Sequence, residues 1–194
     1  GDIRLMTVTT IPTAGIADDA VTAAKVTGLG KIGQVVTTNF TGTESTSVLA
    51  SGGNFTDSSL VASLTPTATS SKILVLASVN TGSSDNSNGT HIGRFRQAIS
   101  GGSTTSVFVG AAAGSRIQTS SGRANAATDN ATNLLLTFNF LLTPSTTSAV
   151  TITYQFAARG TGSGTAYINV TGNDSDVNEN QAIPSAITLM EVLA

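Results

Sequence analysis

Between Val150 and Arg159 the chain alternates: Val150, Ile152, Tyr154, Phe156 and Ala158 fall on one side, Thr151, Thr153, Gln155 and Arg159 on the other. A period of two with one apolar side predicts a strand with one buried face. Asn133–Leu142 repeats the pattern, placing Leu134, Leu136, Phe138, Phe140 and Leu142 together. Weaker alternation predicts strands near Ile32–Phe40, Ser45–Ala50, Leu60–Leu64, Lys72–Val79, His91–Ile99, Ser106–Gly110, Ala166–Thr171 and Ala186–Leu193. The intervals are rich in Gly, Asn, Asp and Ser, which favour turns. About ten short strands with no helical pattern between them predict an all-β, antiparallel, jelly-roll-like sandwich.

Residues 1–30 read differently. They hold no aromatic residue and one short helix-compatible segment, Asp18–Val26, with Asp18 or Asp19 as N-cap and Lys25 near its end. Gly28 and Gly30 stop it. One or two helical turns do not hold alone in water, so this segment needs a surface to pack on. The expected organisation is an N-terminal attachment and trimerisation extension with a brief helix (1–30), then a β head (31–194). Ile3, Leu5, Met6, Val8 and Ile11 are too apolar for an idle tail and are the candidate residues for attachment to a larger particle. All seven Phe and both Tyr lie in the head.

One heptad occurs twice in related form. Leu64-Thr65-Pro66-Thr67-Ala68-Thr69-Ser70 is matched by Leu142-Thr143-Pro144-Ser145-Thr146-Thr147-Ser148, each between two apolar strands. Proline after a strand removes a ladder donor and presets φ, so both heptads read as strand-ending turns.

Composition narrows the chemistry. Thr and Ser make up 55 of the 194 residues, whereas Asp, Glu, Lys and Arg are only 10% of the chain. One histidine, no cysteine and eleven scattered carboxylates leave few groups for acid–base or metal catalysis, so no enzyme and no cofactor are expected. A net charge of −2 argues against nucleic acid as a partner. The longest nearly apolar run, Leu134–Leu142, is far short of the roughly 20 residues of a spanning helix, so membrane insertion is not expected. Without disulfides, stability must come from burial.

Several local patterns carry candidate chemistry, each beside a plainer reading. His91 follows Asn88-Gly89-Thr90, a turn signal, and is expected to begin a strand rather than to act as a base. Asp174, Asp176 and Asn178 have the spacing that opens a calcium loop, but Glu179 replaces the required glycine and Ser185 the closing Glu. That leaves a looser calcium site or, more simply, a solvated loop. Gly160–Thr165 lacks the lysine of a phosphate-binding loop and reads as a glycine hairpin. Six Asn-x-Ser/Thr triplets, at Asn39, Asn54, Asn88, Asn130, Asn169 and Asn173, barely exceed the about four that this composition gives by chance. Arg94 and Arg96 share a strand face opposite Phe95, placed for an anion such as a glycan carboxylate, or for ion pairing with Glu191 or another subunit. The last strand is apolar on both faces, with Ile187, Leu189 and Leu193 on one and Ala186, Met190 and Val192 on the other. Such a strand needs two covers, so Ile187, Leu189, Met190 and Val192 are candidates for a trimer interface.

Gly15–Val26, with Ala17-Asp18-Asp19-Ala20-Val21-Thr22-Ala23-Ala24-Lys25-Val26, resembles an element common in bacteriophage fibre proteins just before a compact head. A single copy is present where such proteins often carry several. Lys31–Val36, Ser71–Val75 and Ala186–Val192 are also similar to segments of small phage fibre heads. The resemblance implies a homotrimeric virion protein whose head is a jelly roll of the tumour-necrosis-factor-like kind, and it assigns no catalytic or receptor residues. The expected role is a structural phage component that projects a β head for host-surface attachment, with tail or capsid proteins and a host-surface glycan as further partners. The alternative is a capsid decoration or cement protein that stabilises the shell. A polysaccharide-degrading spike would need paired carboxylates, which this composition disfavours.

Overall fold

The computed structural model describes residues 31–84, 91–122, 133–159, 164–172, 178 and 180–193. The helix expected over Asp18–Val26 and the apolar positions Ile3, Leu5, Met6, Val8 and Ile11 lie outside these residues. So do Asp174, Asp176 and Glu179, most of the Gly160–Thr165 run, and Asn88, Asn130 and Asn173.

Eleven strands form among the described residues: β1 (Lys31–Phe40), β2 (Glu44–Thr46), β3 (Thr56–Leu64), β4 (Lys72–Ser83), β5 (Ile92–Ile99), β6 (Thr104–Val107), β7 (Ser121–Gly122), β8 (Leu134–Leu142), β9 (Val150–Ala157), β10 (Ala166–Ile168) and β11 (Ser185–Leu193). β1, β11, β4 and β8 lie side by side in one sheet, with β10 and β2 continuing from the far end of β4. β3, β9, β5 and β6 make the second sheet, and β7 adds to β5. Every named pairing is antiparallel. Neighbours that are distant in sequence, as in β1–β11 and β3–β9, are the double Greek key of a jelly roll. The sandwich fold expected from the alternation is the fold observed.

The two sheets close over one core. Val75 and Ile73 on β4, Ile187 and Leu189 on β11, Leu60 on β3, Phe95 on β5 and Ile152, Tyr154 and Phe156 on β9 are all buried in it. Phe95 packs against Phe138, Phe140 and Tyr154 at ring-centre separations of 5.0, 5.1 and 5.3 Å, within the range where tilted and edge contacts add to burial.

The related heptads occupy equivalent corners. The first leads from β3 to β4 and the second from β8 to β9, and both therefore cross between sheets. Because Leu64 pairs with Val150 and Ile73 with Leu142, the two crossings lie at the same end of the sandwich.

Several strand boundaries differ from expectation: β4 runs on to Ser83 rather than stopping at Val79, and four others change for a local reason. The strand expected at Ser45–Ala50 stops at Thr46, and the chain then hooks onto Ala158 and enters a tight turn at Ser51–Gly53, where Gly52 and Gly53 hold φ of 71° and 82°. β3 begins at Thr56, earlier than its apolar part, because the irregular pairing between Asp57 and Val61 lets polar residues continue the ladder. The strand expected at Ser106–Gly110 runs from Thr104 and ends before Phe108, whose φ of 53° breaks the extended path. β10 ends before Asn169 for the same reason, with φ of 66°.

Candidate functional site

The register across the first sheet assembles a surface that single strands do not reveal. Val35 of β1 lies opposite Met190 of β11, Met190 opposite Leu74 of β4, and Leu74 opposite Leu141 of β8. These four residues form one apolar row across the outer face, bordered by Ile32 and Val192, which also pair with each other. The two ends of the row stay open: Val35 is 56% exposed and Leu141 52%. The next row, Thr37–Thr188–Leu76–Asn139, is more polar, and Thr37 and Thr188 share a hydroxyl hydrogen bond of 2.9 Å. An antiparallel sheet with one face on the core ordinarily turns a polar face outward. An apolar row across four strands departs from that pattern.

The four interface candidates on β11 divide between its faces. Ile187 and Leu189 are fully buried in the chain's own core and have no surface left for a partner. Met190 and Val192 remain partly exposed on the outer face. The partners that complete this surface, Val35, Leu74 and Leu141, were not identifiable from β11 alone. Only the register brings them together.

Glu191 is the other surprise of this strand. It takes a core-facing position beside Leu189 and is fully buried. The pairing with Arg94 or Arg96 that the sequence allowed does not form. Its Oε1 accepts from the Thr67 backbone N–H (2.6 Å) and hydroxyl (2.7 Å), and its Oε2 accepts from Gln34 Nε2 (2.8 Å). Burial alone would raise its pKa, but these donors, together with Ser71, outweigh it and bring the value down to about 2. The carboxylate thus ties β11 to β1 and to the Thr-Pro crossing. The sequence showed only that Glu191 shares a strand face with Ile187 and Leu189.

Arg94 and Arg96 do share the outer face of the second sheet, as their spacing required. Arg96 pairs with Asp57 at 2.6 Å. Asp57 also accepts from Gln155 Nε2 at 2.6 Å, and Gln155 Oε1 accepts from Arg94 Nε at 2.8 Å. The Arg94 guanidinium lies 4.0 Å from the ring centre of Phe55. Partial burial lowers its pKa, with Asp57 opposing and Arg96 adding to that shift.

His91 sits just before β5, as expected. It is fully buried, its Nε2 lies 3.0 Å from the Tyr154 hydroxyl, and its ring stacks on Tyr154 and Phe156. Burial pushes the Tyr154 phenol above its ordinary pKa, partly offset by Ser121. A ring in this position meets no substrate from solvent. Among the described residues no group of three or more His, Asp or Glu converges as a metal site, and no helix is long and apolar enough to cross a membrane.

No family model matches the chain, and no curated protein matches it in sequence. Among solved structures it is similar to VP2 of infectious bursal disease virus. A subviral particle of that protein aligns at 13% identity and a TM-score of 0.40 over 83% of this chain, and the Gx strain at 14% and 0.37 over the same share. The chain spans 42% and 38% of those chains. The jelly-roll assignment rests on this chain's own strand order.

Proposed function

We propose that the chain is a structural virion protein that forms a homotrimer through the outer face of its first sheet and presents its jelly-roll head at a host surface. The observation that carries the reading is the apolar row Val35–Met190–Leu74–Leu141, exposed at both ends. Fully burying a Val or Leu side chain contributes about 1.5–3 kcal/mol, so covering two half-exposed ones contributes roughly half of that for each in every subunit. The resemblance of Gly15–Val26 to the element that precedes phage fibre heads supports the virion setting and the trimer. The sole histidine is locked in the core, which favours a binding role over catalysis. Attachment works by avidity, since weak contacts from three heads combine through effective concentration.

Residues 1–30, through Ile3, Leu5, Met6, Val8 and Ile11, are the proposed link to the particle. The test is imaging of intact particles carrying a label on this subunit. Label at the tail supports the fibre reading. Label at threefold positions of the shell would replace it with a decoration protein, and unlabelled particles would contradict both.

A further inference from the structure

The outer side of the second sheet carries an open, cationic groove. It consists of two adjoining cavities of about 310 and 680 Å³ that share Gly52, Ser115, Arg116 and Ile117 as walls. Arg94 lines the smaller and Arg159 the larger. Three arginines therefore line this groove, and among the described residues no Asp or Glu does. In a chain of net charge −2 that local excess is not a general property of the surface.

The groove is built from separate parts of the fold. Arg94 comes from β5, Gly52 from the turn before β3, and Arg116 from the connection between β6 and β7. Arg94 is held in place rather than left to solvent. Its Nε donates to Gln155, its Nη2 donates to the Gly53 carbonyl at 3.3 Å, and Phe55 covers its flat face. Its Nη1 makes no hydrogen bond among the described residues. The Arg116 guanidinium has no hydrogen-bond or ion-pair partner there either. Gln118 donates its side-chain N–H to the Gly110 carbonyl at 2.7 Å, which leaves its amide oxygen to accept. Ser106 and Ser115 add hydroxyls to the walls.

We propose that this groove binds a small oxyanion, a carboxylate or phosphate, carried on a hydroxyl-rich ligand. The planar guanidinium fork matches either oxyanion. The hydroxyls and the Gln118 amide suit the neighbouring hydroxyl groups of a sugar, and the cavity volumes fall in the range of small-ligand sites. The inference stands on the groove alone and holds whether or not the chain trimerises.

Titration of the full chain with glucuronate, inorganic phosphate and glucose, followed by calorimetry or by amide chemical shifts, tests it. At least one of the two anions is expected to saturate the protein, with affinity falling as salt rises, while glucose does not. Arg116→Gln, in a connection outside the core, should weaken that binding about tenfold, the scale of one charge-assisted contact, with an unchanged circular dichroism spectrum. Arg94→Gln should weaken it by a similar factor. Tighter glucuronate than phosphate would assign the site to an acidic sugar, and the reverse order to a phosphorylated one. Failure of both anions to saturate, equal binding of glucose, or affinities unmoved by both substitutions would overturn the proposal.

Discussion

Single atoms decide much of the packing. A Cβ added at Gly93 would lie 1.8 Å from the Tyr154 hydroxyl, inside the pair that Tyr154 forms with His91. Gly93→Ala must push a fully buried ring aside and is expected to cost about 1–3 kcal/mol. Gly122→Ala meets nothing within 4 Å and should stay within about 0.5 kcal/mol. Urea midpoints of the two variants check both values, and equal midpoints would contradict the packing described for Tyr154. Glu191 acts by charge rather than by volume. Its folded-state pKa of about 2 lies below the ordinary value of 4.5, so its contribution is fully present above pH 4.5. It is lost as pH falls from there through about 2. The stability difference between the wild type and Glu191→Gln should therefore shrink across that window, as read by denaturant melts at stepped pH. A difference that stays constant would mean that the carboxylate is not preferentially held as an anion. In the sequence His91 was legible as a residue beside a turn. The burial of Glu191 was not, because the donors that make it tolerable come from β1 and from the Thr-Pro crossing, far away along the chain.

The strands are legible in proportion to the contrast between their faces. β8 and β9 alternate clearly and were placed within a residue or two. β7, with two residues, left no period to detect, and the polar start of β3 hid half of a strand whose ladder does not need apolar side chains. β11 shows best where alternation stops informing. Its two apolar faces were visible, but which one belonged to the core depends on the strand crossing, which alternation does not encode. In the structure Leu189 faces inward and Thr188 outward. Leu189→Ala is expected to cost about 2–5 kcal/mol. Thr188→Ala, which loses one exposed hydroxyl contact to Thr37, should cost about 1 kcal/mol or less. Chemical denaturation separates the two, and a larger loss at Thr188 would reverse the orientation of the strand.

At the scale of the whole molecule, the paired heptads and the long-range strand pairs state the same design. Two crossings at one end carry the chain between a six-stranded and a five-stranded layer, which pack together without any disulfide in a chain that has no cysteine. The resulting head has two outer faces of opposite character. The first sheet bears the apolar row, and the second bears arginines and the acid that pairs with one of them. Neither face was visible as a unit in the sequence, since Val35, Leu74, Leu141 and Met190 are spread over more than 150 positions. Trimerisation through the apolar row is the central claim. The most direct measurement is the solution mass, by light scattering, of the wild-type chain and of Met190→Glu, with circular dichroism on both. A charge placed in an apolar contact costs several kcal/mol, whereas on an exposed face it costs little. The wild type is expected at three times the 19.4 kDa chain mass, and Met190→Glu at a single chain mass with an unchanged β spectrum. A wild type at 19.4 kDa, or a variant that remains trimeric, would contradict the account.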